Sequence, residues 1–255
     1  MQAINHRWTR IAIYFAIALS SSILFRLNYI GGYATLKLPG VLSVYKSLLE
    51  GIGPFLGALI VMGLFRLKSS IGFLGNTGMR SLLMLGVPVV LFFMIGVDNN
   101  QHINTHFYGL NVGIWIALYG ILEETGWRGY LQDELKNYKP FIKYTIVGAV
   151  WYAWHLTFLG HTNALNEVAI LVILILASYG IGLIADRTQS IIAAACFHIL
   201  GNILGLSAEI QHAVPAKTRI WIVAACVVCW WALLKMKPAS GAALHRKTDE
   251  QLNGI

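Results

Sequence analysis

Three short constellations in this chain combine residue types that do chemistry with spacings that bring them together. In Leu122–Arg128, Glu124 and Arg128 stand four residues apart with the acid first, the order that favours an ion pair on one helix face. Glu123 projects about 100° around the helix from Glu124 and has no cation one turn away. The two adjacent carboxylates therefore take different parts. Glu124 is neutralised by Arg128, whereas Glu123 is left available. A carboxylate held in a low-dielectric site without a cation takes a proton from water more readily near neutral pH, which is what a general base must do. The plain alternative is an ion-pair cluster at a helix end.

His155 closes the run Trp151-Tyr152-Ala153-Trp154-His155, one turn after Trp151. A single histidine among aromatics is more often a hydrogen-bonded packing residue. His198 and Asn202 form H-x-x-x-N, so imidazole and carboxamide leave one helix face. Together they can donate hydrogen bonds to a developing oxyanion; their plain alternative is a polar contact between helices.

The composition says which solvent these groups sit in. Of 255 residues, 57% are AVILMFWYC and only 12% are charged, about half the charge of soluble domains. Disordered, collagen-like and disulfide-scaffold classes are excluded, and a polytopic membrane protein remains. The formal charge of +8 comes from residues lying between apolar segments, where they set topology and touch anionic lipid headgroups. Without a basic-aromatic motif, nucleic acid is not an expected partner. Cys196, Cys226 and Cys229 lie within apolar segments and act as small hydrophobes.

Eight apolar segments follow one another: Ile11–Phe25, Gly51–Phe65, Ser81–Val97, Leu110–Leu122, Tyr144–Leu159, Val168–Ala185, Ile191–Leu206 and Ile220–Leu234. The fourth must run on through Glu123 and Glu124 to reach the length of a span. With both termini inside, fourteen Lys and Arg fall in inner pieces and five in outer ones, the asymmetry expected of the cytoplasmic side. The first segment is read as an uncleaved helix rather than a signal peptide. The expected architecture is all-α: a single membrane domain, residues 1–255, built as a bundle of about eight transmembrane helices, N-in and C-in. The pairs Gly53/Gly57 and Gly201/Gly205 predict close helix packing within the chain.

In that arrangement the polar residues share a layer. At ~1.5 Å per residue, Glu123 lies ~12–20 Å from the inner end of its helix, His155 ~17 Å, His198 ~11 Å and Asn202 ~17 Å. Ionisable groups at such depth cost roughly 2.5–3.5 kcal/mol each on insertion scales, so each needs a partner or a function.

Taken in order, E-E-x-x-x-R at Glu123–Arg128, aromatic-x-x-x-His at Trp151–His155 and H-x-x-x-N at His198–Asn202 resemble the three motifs of the CAAX-protease and bacteriocin-processing (CPBP, Abi) intramembrane proteases, the type II CAAX prenyl endopeptidase-like family. The resemblance covers residues 110–205, the expected catalytic core of helices four to seven. It implies that Glu123 is the general base, that His155 helps it activate water, that His198 and Asn202 stabilise the oxyanion, and that Glu124, Arg128 and Trp151 support the site. Trp151 stands where the family often has Phe. The implied activity is endopeptidase hydrolysis near the cytoplasmic side of the membrane, on a peptide or protein substrate that in eukaryotic members is prenylated. The implied location is the bacterial cytoplasmic membrane. No obligatory cofactor is expected. A zinc site, if there is one, would use Glu123, His155 and His198, although the chain has no H-E-x-x-H and Arg128 places a positive charge nearby.

Two other classes use the same residues differently. A non-catalytic immunity or scaffold protein would bind a partner in the same cavity. A proton-coupled transporter would relay protons through the buried Glu and His, but no inverted repeat is evident in the sequence.

Overall fold

The structure is a computed structural model and describes residues 2–26, 38, 40–156, 163–206 and 208–235. The described residues build a helical molecule: α1 (Gln2–Arg26), α2 (Leu48–Phe65), α3 (Met79–Ile95), α4 (Thr105–Gly126), α5 (Pro140–His155), α6 (Ala164–Thr188), α7 (Ile191–Gly201), the short α8 (Ala208–Ala213) and α9 (Ala216–Lys235). A 3₁₀ turn, Gly40–Ser47, leads into α2. Two π-helical turns extend α4 and α7, at Trp127–Gln132 and Asn202–Leu206.

Among the described residues each of the eight apolar segments is largely helical. Among them four helical runs are long and apolar enough to cross a membrane: Gly40–Phe65, Thr105–Gln132, Ala164–Thr188 and Ala216–Lys235. Met79–Ile95 and Ile191–Gly205 are shorter apolar helices. As expected, the fourth segment continues through the glutamate pair. In the fifth, α5 ends at His155, where Leu156 takes a left-handed conformation, and residues 157–162, including the expected end at Leu159, lie outside the described residues. So do Lys37, Lys237, Arg246 and Lys247, which were counted for orientation.

Side-chain caps define several helix starts. The Asn104 side-chain oxygen accepts from the backbone N–H of His106 and Phe107 to open α4. The Ser190 hydroxyl accepts from Ala193 N–H at 3.1 Å to open α7. Each cap satisfies N–H groups that have no partner within the helix. α5 instead opens on Pro140, whose fixed φ suits a first helical turn.

Connections expected on the same side of the membrane meet one another. Gly72 exchanges backbone hydrogen bonds with Gln189 and Ile191, at 2.9 Å each. Arg10 at the start of α1 binds both oxygens of Glu134 beyond α4, at 3.1 and 2.9 Å, and Lys143 at the start of α5 binds Asp186 at the end of α6. At the opposite end, Gln101 donates to the Ser43 hydroxyl at 2.6 Å.

α1 packs on α2, α2 on α4, and α4 on α7. A Cβ on Gly57 would stand 2.9 Å from the carbonyl oxygen of Tyr14, so the Gly53/Gly57 pair serves contact within the chain, as expected. Gly126 lets α4 press on α2, since a Cβ there would meet Pro54 at 2.5–2.7 Å. Buried side chains form two apolar clusters, one around α1, α2, α5 and α6, the other around α3, α4, α7 and α9. Phe197 packs against both. Apolar side chains such as Leu64, Met94, Leu176, Trp221 and Trp231 face outward, which suits a molecule solvated by lipid.

Candidate active site

The polar cluster is built outward from the end of α4. Glu123 and Glu124 are both sealed, at 1% and 0% exposure. The pair expected from spacing is present: Arg128 donates through Nη1 to Glu124 Oε1 at 2.8 Å. That same oxygen meets His198 Nδ1 of α7 at 2.6 Å. A carboxylate only accepts, so Nδ1–H is the donor and Nε2 is the nitrogen left for other work.

Glu123 follows a different plan from the one expected. It lacks a cation one turn away, as the spacing says, but it is not locally free. Its Oε2 accepts from the indole N–H of Trp127 and from that of Trp151, each at 3.0 Å. Tyr119 also acts on the Glu123 carboxylate. Tyr119, Glu123 and Trp127 are spaced four apart, so one strip of α4 and its π-turn dresses this carboxylate. A carboxylate offers about four acceptor sites, and the two indoles use only part of them.

Trp151 ties the cluster together. Its indole holds Glu123, its ring lies 5.1 Å from the His198 ring, and the Arg128 guanidinium sits 5.2 Å from its centre, within cation–π range. One turn on, His155 Nδ1 bonds to the Trp151 carbonyl oxygen at 2.8 Å. That bond makes Nδ1 the protonated nitrogen and Nε2 the acceptor nitrogen of the neutral ring. His155 and His198 both act electrostatically on Glu123. Asn202 is 8% exposed and begins the second π-turn, one turn after His198; among the described residues no hydrogen bond ties its side chain into the cluster.

The structure therefore brings together two hydrogen-bonded sets, Glu123 with Trp127 and Trp151 and Glu124 with Arg128 and His198, which meet where the Trp151 ring contacts His198 and Arg128, with His155 attached through the Trp151 backbone and Asn202 just beyond α7. Sequence reasoning missed Trp127 and Tyr119. The signal was present: each stands four residues from Glu123, the same spacing that identified the Glu124–Arg128 pair. The π-turn after Glu124 was also missed. Such turns insert one extra residue per turn and recur at functional sites.

Among the described residues no three His, Cys, Asp or Glu side chains group as metal ligands. Glu123 Oε2 already accepts from two indoles, and Arg128 is buried beside the site. The residues do not fit the metal, and no step is derived through one.

No curated protein matches the chain. Residues 105–204, which carry all three motifs, match the family described as Rce1-like, type II CAAX prenyl endopeptidase Rce1-like. Apolar helices and this match together support an integral membrane protein whose site-bearing region is similar to the CAAX-type proteases.

Proposed function

We propose that the chain is an intramembrane endopeptidase that hydrolyses a peptide bond near the cytoplasmic side of the membrane, within a single membrane domain of eight crossings with both termini inside. Residues 110–205 form its catalytic core. The observation that carries this reading is the meeting of three motifs from α4, α5 and α7 around the buried pair Glu123 and Glu124, Trp151 holding the first and His198 the second.

In this reading Glu123 takes the proton of a water molecule as that water attacks the scissile carbonyl. Trp127 and Trp151 hold Oε2, which fixes the carboxylate without neutralising it. His155, with Nδ1 committed to the Trp151 carbonyl, presents Nε2 as an acceptor that orients the same water. His198 and Asn202 stabilise the oxyanion. Donation from His198 Nε2 requires the imidazolium form, because Nδ1–H already faces Glu124. Two carboxylates against one guanidinium leave the cluster one positive charge short, and an imidazolium at His198 supplies it. Glu124 and Arg128 thus position His198 rather than touch substrate.

A non-catalytic binding protein has one observation in its favour: two indoles on Glu123 Oε2 also satisfy a purely structural acceptor. The test is cleavage in proteoliposomes of a quenched peptide carrying a prenylated cysteine near its C-terminus, alongside its unmodified counterpart. Wild-type cleavage that Glu123→Gln abolishes supports the protease. Activity in cells that survives both Glu123→Gln and His198→Ala, without cleavage, supports the binding protein.

A further inference from the structure

α1 lies outside the region that matches the protease family, yet it reaches the site. Tyr14 is fully buried, with its ring 5.9 Å from Trp127 and 4.7 Å from Tyr130. Its hydroxyl lies in the fields of Glu123, Tyr130, Arg128 and Glu124. Tyr14 Oη, Arg128 Nε, Arg128 Nη2 and Glu124 Oε2 are all buried and bond to no group among the described residues. A single orphaned buried polar atom costs about 1–3 kcal/mol. Four around one site are what ordered water satisfies, since a buried water needs two to four polar partners.

The same atoms point toward a way out. Tyr130, tilted against Tyr14, lines a pocket at the end of the bundle between Arg10, Lys68, Gly129, Asp133 and Glu134. The Tyr130 hydroxyl is buried and bonds to no group among the described residues. The pocket is charged on both sides and open to solvent, and Tyr130 and Tyr14 stand between it and the buried carboxylates.

We propose that Tyr130 and Tyr14 line the route by which water enters the site, and that α1 is therefore a working part of the hydrolytic centre. Water passes from the pocket along the Tyr130 and Tyr14 hydroxyls to the free edge of Arg128 and on to the glutamate pair. This rests on the hydrolytic reading above, because a hydrolase must bring one water to a site walled by apolar helices for each bond it cuts.

The test is hydroxyl-radical footprinting of the full chain in nanodiscs, where labelling of a sealed side chain reports water bound beside it. Tyr14 and Trp127 label at least about fivefold faster than Trp230, which is equally buried but bonded to the Met84 carbonyl. Labelling of Tyr14 no faster than Trp230 overturns the route, whatever the activity. In a second arm Tyr14→Phe keeps the ring packing and lowers kcat about tenfold, the worth of one hydrogen bond, with KM unchanged. An unchanged kcat in a folded variant also overturns it. Failure of the hydrolytic reading shows separately, as Glu123→Gln cleaving like wild type.

Discussion

His198 of α7 and Glu124 of α4 meet at 2.6 Å, Nδ1 to Oε1, and the same oxygen takes Arg128 Nη1 at 2.8 Å. The carboxylate is thus a hinge point between a cation on its own helix and an imidazole on another. It sets which nitrogen of His198 faces the space beside Glu123, as orienting partners of imidazoles do.

Removing Glu124 should damage folding before chemistry. Glu124→Gln leaves Arg128 buried without a counter-charge, and breaking a buried pair from one side costs about 3–5 kcal/mol. Thermal melting in detergent measures it. The double variant Glu124→Gln/His198→Ala should lose less than the sum of its parts, by about 0.5–3 kcal/mol, because both act through one oxygen.

Glu123→Gln should leave the fold in place and remove cleavage. The amide oxygen can still accept the two indole N–H groups, so melting should move little. The lost base should lower kcat by about 10²–10⁴-fold, measured with the quenched peptide.

Trp127→Phe separates holding Glu123 from packing the core. The ring contacts with Tyr14 and Trp154 are largely kept, and one hydrogen bond to Glu123 is lost. We expect kcat to fall about tenfold. Trp127→Phe/Trp151→Phe, which strips Oε2 of both donors, should fall by more than the product of the single effects.

Gly126→Ala should destabilise by about 1–3 kcal/mol, the usual result of overfilling a packed contact. Its methyl group would collide with the Pro54 backbone, forcing α2 from α4 at the entry to the π-turn. Unfolding midpoints in denaturant give the value.

Orientation is open to direct measurement. Single cysteines at Lys68 and Lys139, in a background without native cysteines, should react with a membrane-impermeant thiol reagent only after the membrane is opened. A cysteine at Asn100 should react in intact cells. The reverse pattern overturns the N-in arrangement.

The sequence by itself determined whatever depends on local spacing and on solvent. Apolar runs too long for a soluble core placed the helices, and four-residue spacing placed Arg128 against Glu124, because one helical turn brings those side chains together whatever surrounds them. The same rule would have put Trp127 on Glu123, had an indole been weighed as a donor beside the cations. Only the tertiary structure decided the partners across helices. Trp151 is 28 residues from Glu123 and His198 is 74 from Glu124, and which faces of α4, α5 and α7 meet depends on the rotation and register of each helix. Those follow from packing of both apolar clusters, from close approaches such as Gly126 on Pro54, and from the π-turns that re-aim the chain beyond Glu124 and His198. The approach of α1 was hidden for the same reason: nothing in the local pattern around Tyr14 says that its ring packs on Trp127 and Tyr130.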